Sequence, residues 1–253
     1  MGWSELPYER RLSIIILAIT GVLVLGAIVA LPEGGGRVAI GLMALGALGL
    51  VAAGVVTGRK YRRALAEAAQ RTGLHLVTNK DDDAYRDLWA EFKRLFDRDT
   101  RTWKVAGRFP CLVGRIEGLP VSVRVPLAVD FDYLGPECTR IAVHFRSKVP
   151  QFTIYNREML KKLPSRIVET GDDAFDRKFV VIGRQAEAIR ELLGEQVRQR
   201  LLRWGRTGFK GIAVSRTGVF LYELGRVTDP EVVVQALEIL TLLAKRAVDR
   251  DES

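Results

Sequence analysis

The chain has 253 residues, enough for one membrane element and one domain that can bury a core without disulfides or metals. It carries a formal net charge of +9, and because the charges before Arg59 balance, the excess lies in the rest of the chain. Cys111 and Cys138 form no C-x-x-C pair or Cys/His cluster, so we expect buried thiols in a reducing compartment rather than a metal or redox site.

Two uncharged apolar stretches predict a transmembrane hairpin over residues 1–58. They cover residues 12–31 and 38–58, each about 20 residues, the length at which a helix crosses the hydrocarbon core. A cleaved signal peptide is the alternative for the first stretch, but that stretch is long and a second span follows at once. Small residues on both spans favour close packing, either within the hairpin or in a homo-oligomer. These residues are Gly26, Ala30, Gly49, Ala53, Gly54 and Gly58.

Basic residues beside the spans predict the orientation. Arg10 and Arg11 precede the first span, and Arg37 lies between the two. A larger group follows the second span, so both termini are expected in the cytoplasm. The same group can contact anionic headgroups of the bilayer. It consists of Arg59, Lys60, Arg62 and Arg63. They open a predicted juxtamembrane helix within residues 59–75, which ends near Gly73.

Helix and strand patterns predict an α+β soluble domain over residues 76–253. A helix over residues 83–97 has one apolar face, and the aspartates at 81–83 fit helix capping better than a cation site. Strands with period-two alternation follow around Val123 and Val143, which places His144 on a solvent face. We expect hairpin connections at Glu117-Gly118 and Val149-Pro150.

The C-terminal part predicts alternating strands and helices. A strand is expected over residues 179–183, one helix over 185–204 and a hairpin around Arg216-Thr217-Gly218. The capping box Thr228-Asp229-Pro230-Glu231 opens the last helix. This order indicates an antiparallel sheet with helices covering one face.

One polar stretch, TGDDAFDRKF at residues 170–179, has two interpretations. Its acids could ligate a hard cation or polarise a substrate, as in a metal-assisted hydrolase or transferase. Alternatively, glycine and aspartate fix a turn while Phe175 and Phe179 anchor it in the core, and this structural interpretation is favoured. The polar candidates are Thr170, Asp172, Asp173 and Asp176.

Together with the two spans and the strand-helix-hairpin-helix tail, this stretch resembles uncharacterised two-span bacterial membrane proteins that carry a T-G-D-x-x-F-D-x-x-F element. Every position of that element is present here, between Thr170 and Phe179. The resemblance implies a bacterial inner-membrane protein and no particular activity.

No motif in the sequence indicates a cofactor. No glycine-rich loop fits a P-loop or a dinucleotide fingerprint. Nucleic acid is not expected as a partner, because the basic residues on and after the third helix lack interleaved exposed aromatics. These are Arg184, Arg190, Arg198, Arg200, Arg203, Arg206 and Lys210. The sequence therefore favours a non-enzymatic, membrane-anchored module that binds a protein or an anionic membrane surface; the alternative is the metal-assisted enzyme.

Overall fold

The computed structural model describes residues 36–79, 81–95, 108–125, 138–160, 165–205 and 209–252. The chain divides into two compact units, Met1–Lys60 and Tyr61–Ser253. The first predicted span, residues 12–31, lies outside the described residues, and so do Gly26 and Ala30.

Helix α1 runs from Gly36 to Thr72 and includes the residues of both the predicted second span and the predicted juxtamembrane helix. It ends as the sequence predicts: Gly73 has a φ of 71°, and its N–H donates to the carbonyl of Ala69 at 2.9 Å, which closes the last turn. Within the described part of the chain, no helix is sufficiently long and apolar to cross a membrane. For much of residues 38–58 the side chains lie outside that description, so the two spans stay predictions.

The second unit is built on one antiparallel sheet, to which nine strands contribute among the described residues, in the order β1-β2-β3-β4-β9-β8-β5-β7-β6. The first four strands are β1 His75–Val77, β2 Arg108–Ile116, β3 Leu119–Val125 and β4 Cys138–His144. The remaining five are β5 Phe152–Asn156, β6 Ile167–Val168, β7 Phe179–Gly183, β8 Phe209–Ser215 and β9 Gly218–Leu224. The predicted α+β class with an antiparallel sheet is confirmed.

Two of the three predicted hairpin turns are correct. Glu117-Gly118 joins β2 to β3, with both residues at positive φ, and β8 pairs with β9 beyond the turn at Arg216 and Thr217. The expected hairpin at Val149-Pro150 is wrong. Strand β4 pairs with β3 and β9, whereas β5 pairs with β7 and β8, so these residues carry the chain between two parts of the sheet.

The helices after α1 are α2 Asp83–Leu95, α3 Asp173–Lys178, α4 Ala186–Leu193, α5 Glu195–Trp204 and α6 Pro230–Glu252. The single helix expected over residues 185–204 is two helices, because Gly194 at φ 27° interrupts it. Helix α6 begins at Pro230 as predicted, and its cap is the carboxylate of Asp229, which accepts the N–H of Glu231 at 3.0 Å.

Helices lie on both faces of the sheet, which corrects the expectation of one covered face. Leu112 of β2 belongs to the main core, whereas its neighbours Cys111 and Val113 pack with Leu88 of α2. Successive side chains of a strand point to opposite faces, so α2 covers the face opposite the main core. That core joins the sheet to helices α1, α3, α4, α5 and α6. Both cysteines are free and buried, as expected.

Candidate functional site

The polar stretch predicted as the candidate site lies between β6 and β7 and contains the short helix α3. Asp172 caps this helix, because its carboxylate accepts the N–H of Phe175 at 3.1 Å. The ring of Phe175 is fully buried and packs on Phe179 with their centroids 4.8 Å apart. The local sequence thus combines an aspartate cap with two aromatic anchors, as the structural interpretation predicts.

Asp176 holds the turn before α3 together. Its carboxylate accepts the N–H and the hydroxyl of Thr170, both at 2.9 Å, and the N–H of Gly171 at 3.3 Å. The guanidinium of Arg157 donates to the main-chain carbonyl of Asp176 at 2.8 Å and 3.1 Å. The carboxylate therefore stabilises the turn through hydrogen bonds to its own backbone.

Asp172 also connects the stretch to α5. Its second oxygen lies 3.2 Å from Nε of Arg198, and both side chains are mostly buried, with 18% and 16% exposed respectively. The hydrogen bond from the N–H of Phe175, followed by that from Arg198, lowers the pKa of Asp172. Both contacts favour the charged carboxylate.

The four predicted residues therefore have unequal surroundings. Thr170, Asp172 and Asp176 come together through hydrogen bonds, whereas Asp173 is exposed. Among the described residues, no group of three or more His, Cys, Asp or Glu side chains could hold a metal ion. Open clefts of 570, 310 and 410 Å³ lie elsewhere on the described part of the chain, and none of these four residues lines them.

The predicted membrane-surface residues have exposed side chains on α1. They are Arg59, Lys60, Arg62 and Arg63. Of the predicted packing residues, Gly49 and Gly54 would tolerate a Cβ without meeting a described atom within 4 Å. The side chain of Ala53 lies outside the described residues. Packing through these positions therefore stays a prediction.

The basic residues predicted on the third helix do not share one exposed face. Arg198 is turned inward to Asp172, while Arg200 pairs with Glu238 of α6 at 2.8 Å. Arg190 donates to the carbonyl of Glu169 at 2.7 Å. Much of this charge is thus used in contacts between neighbouring elements, and Arg206 lies outside the described residues.

A row of buried polar side chains was missed by the sequence analysis. It lies on the sheet face opposite the main core and consists of Ser122, Arg124, Arg140 and His144, each at most 7% exposed. His144, expected on a solvent face, is fully buried. Alternation assigns a residue to a face, but it does not say whether that face is covered. Phe220 and Tyr222, which share this face, are the apolar signal that could have indicated its burial.

Local contacts explain the charge states in this row. Nε2 of His144 lies 2.9 Å from Oγ of Ser122, and burial, followed by the charge of Arg140, holds the pKa of His144 well below its usual value. Burial also lowers the pKa of Arg140, which lies 5.5 Å above the ring of Phe220 and is hydrogen-bonded to Tyr222. The Ser122–His144 pair resembles a nucleophile and its base only in distance, because both side chains are enclosed by protein.

Comparisons with known proteins give one structural similarity. No family model matches the sequence, and no curated protein matches it. The crystal structure of the mycobacterial trehalose monomycolate transport factor A, TtfA, is similar with a TM-score of 0.46 and 14% identity, over 74% of this chain and 94% of that chain. A similarity this distant carries no functional argument.

Proposed function

We propose that the protein is a non-enzymatic module, anchored in the bacterial inner membrane by residues 1–58, whose α+β unit binds a protein or an anionic membrane surface in the cytoplasm. The observation that carries this proposal is the course of α1. One helix contains the residues of the predicted second span, and its C-terminal turns supply core residues of the second unit. These core residues are Tyr61, Leu65, Ala68 and Ala69.

Side chains before and after residue 58 support an anchoring role. Val55 and Val56 are 47% and 48% exposed, among the most exposed large apolar side chains described. An apolar helix surface followed at once by exposed basic residues is typical of a helix that leaves the bilayer into the cytoplasm. The short connection between anchor and core would keep the unit close to the membrane.

The contacts around the acidic stretch argue against the enzyme alternative. A catalytic or metal-binding carboxylate needs oxygens that face a substrate or ion, whereas Asp176 accepts three hydrogen bonds from the adjacent turn and Asp172 is used for a cap and an ion pair. Only Asp173 of the three acids is exposed. These observations favour a binding module.

Topology and extraction experiments test the proposal. A reporter fused after Ser253 should be active only in the cytoplasm, and one inserted at Gly35 should be active only in the periplasm. The full chain should stay in the membrane pellet after alkaline carbonate extraction. Replacing Arg59 and Lys60 with glutamine should shift the reporter pattern, whereas the same change at Arg115 and Arg216, outside the predicted anchor, should not. Extraction of the chain by carbonate, or a periplasmic C-terminus, would contradict the proposal.

A further inference from the structure

A cleft of 410 Å³ lies along helix α6, between its middle turns and three neighbouring elements. Those elements are the end of α1, the β2–β3 turn and α5, which contributes Arg200. The α6 residues that line the cleft recur at intervals of three or four from Val234 to Lys245, so they share one face of the helix over about 17 Å. We call this space the α6 cleft. A second cleft of 310 Å³, which contains Trp204, adjoins it at Arg200 and Glu238.

Apolar side chains form much of the lining of the α6 cleft. Leu237 is almost fully buried, whereas Ile116, Val234 and Leu242 are partly exposed. Ile116 and Leu242 also pack against the main core, so the fold holds this apolar lining in position. A preformed apolar cleft of this size is typical of a site that receives an apolar group from a binding partner.

One polar group in this lining has no partner within the described part of the chain. Thr241 is only 5% exposed, and its hydroxyl makes no hydrogen bond there. Thr72, which lines the same cleft, shows the usual arrangement in a helix, because its hydroxyl donates to the carbonyl of Ala68 one turn earlier at 2.6 Å. Buried polar atoms without a hydrogen bond are rare and unfavourable. Thr241 is therefore the polar group of the α6 cleft that a bound partner could complete.

Every charged side chain that lines the α6 cleft belongs to an ion pair between α6 and a neighbouring element. The pairs are Arg71–Glu231, Arg200–Glu238 and Lys245–Glu117. Each of these side chains is at least 41% exposed. Nearby, Glu67 lies one helical turn before Arg71, and Arg203 lines the second cleft, so both signs continue beyond the rim. An apolar cleft inside a polar rim of both signs resembles a protein interface. An anionic membrane surface would instead require a rim of mainly basic residues.

We propose that the α6 cleft binds a short segment of a partner protein, an inference that rests on the proposed function and selects a protein over a membrane surface as its partner. The segment places one large apolar side chain over Leu237 and Leu242 and a main-chain polar atom at the hydroxyl of Thr241. A peptide carries both kinds of group in every residue of this type, whereas an acyl chain has no polar atom for Thr241. Charged residues of both signs beside the apolar one complement the rim.

Peptide selection on the full chain tests the inference. The protein is reconstituted in phosphatidylcholine nanodiscs, short random peptides displayed on phage are selected against it, and the affinities of the selected peptides are measured by fluorescence anisotropy. Leu242→Glu should weaken their binding about 30-fold, as loss of a central apolar contact does. Thr241→Val should weaken it about fivefold.

Thr241→Val separates a binding role from a structural one and serves if Leu242→Glu does not fold. Valine has the shape of threonine without the hydroxyl, so this variant removes a buried polar atom that the fold leaves unsatisfied. Its urea midpoint should stay the same or rise while peptide binding weakens. A lower midpoint with unchanged peptide binding would show that the hydroxyl serves the fold, and it would overturn the inference.

The matched control is Val248→Glu. Val248 is a partly buried apolar residue of the same helix that packs against the main core but does not line the α6 cleft. This variant should bind the selected peptides as the unchanged protein does. Selection of no peptide whose binding depends on Leu242, or an equal loss in the control, would overturn the inference. Binding of oleate that Leu242→Glu abolishes, with no such peptide, would assign the cleft to an acyl chain instead. The unchanged chain should stay in the carbonate pellet in all these cases, and its extraction would contradict the proposed anchoring separately.

Discussion

Truncating Phe175 is the most direct test of the structural role assigned to residues 170–179. The side chain is fully buried, and its ring centroid lies 4.8 Å from that of Phe179. Replacing a buried phenylalanine with alanine removes its transfer free energy and leaves a cavity, which together cost about 3–5 kcal/mol. The contact between the two aromatic rings contributes about 0.5–1.5 kcal/mol beyond burial. We therefore expect the free energy of unfolding to fall by an amount near the upper end of the range of about 3–5 kcal/mol.

Urea unfolding of the full chain in a mild detergent, followed by tryptophan fluorescence, would measure this loss. Met159→Ala is the matched control, because Met159 is 36% exposed and its truncation should cost less than about 1 kcal/mol. Phe175→Leu should recover much of the lost stability, since it keeps the apolar volume. If Phe175→Ala cost no more than the control, the stretch would not be anchored by its aromatics and the structural interpretation would fail.

Other contacts of the same unit give three more expectations. Asp172→Asn should lower the free energy of unfolding by about 1–3 kcal/mol, because asparagine still caps a helix but leaves the guanidinium of Arg198 without its charged partner. Addition of Mg²⁺, Ca²⁺ or Mn²⁺ should not raise the Tm of the protein. A saturable rise in Tm that this substitution abolishes would support a cation site instead. Gly218→Ala should lower the free energy of unfolding by more than about 2 kcal/mol in the same urea assay. Gly218 has a φ of 146°, and an added Cβ would lie 2.5 Å from the carbonyl oxygen of Val143. An unchanged urea midpoint would refute the described turn. Because the pKa of His144 is depressed in the folded protein, its contribution to stability is complete above the unfolded pKa of about 6.5, and it is lost as the pH falls from there through the lower folded pKa. His144→Gln should therefore flatten the decline in unfolding free energy on acidification, and an unaltered pH profile would show that His144 is not buried in its neutral form.

Features set by neighbouring residues were predictable from the sequence. The turn at Glu117-Gly118, the end of α1 at Gly73 and the cap before α3 each depend on backbone preferences within one or two turns. The structural role of the acidic stretch belongs to the same class, because Thr170 and Asp176 are six positions apart and bond to one another directly. Local chemistry was enough to favour a turn over a cation site.

Features that depend on distant pairing were not predictable. Strand β4 pairs with β9, which is far away in the sequence. No residue pattern at Val149-Pro150 indicates that the next strand, β5, pairs with β7 and β8 and not with β4. The burial of His144 has the same origin. The prediction that His144 and Val143 point to opposite faces of the sheet is correct, but whether the face of His144 is covered depends on the rest of the fold.

The shared helix α1 determines how the second unit can be studied. A fragment that begins at residue 76 would lack Tyr61, Leu65 and Ala68, which are 3%, 0% and 0% exposed in the main core. Truncation of one buried leucine costs about 2–5 kcal/mol, and a whole domain is stable by only about 5–15 kcal/mol. Removing the last turns of α1 would therefore take away a large fraction of the stability. If residues 1–58 are the anchor, the membrane tether and the folding core meet within one helix, so a change near residue 60 acts on both attachment and stability.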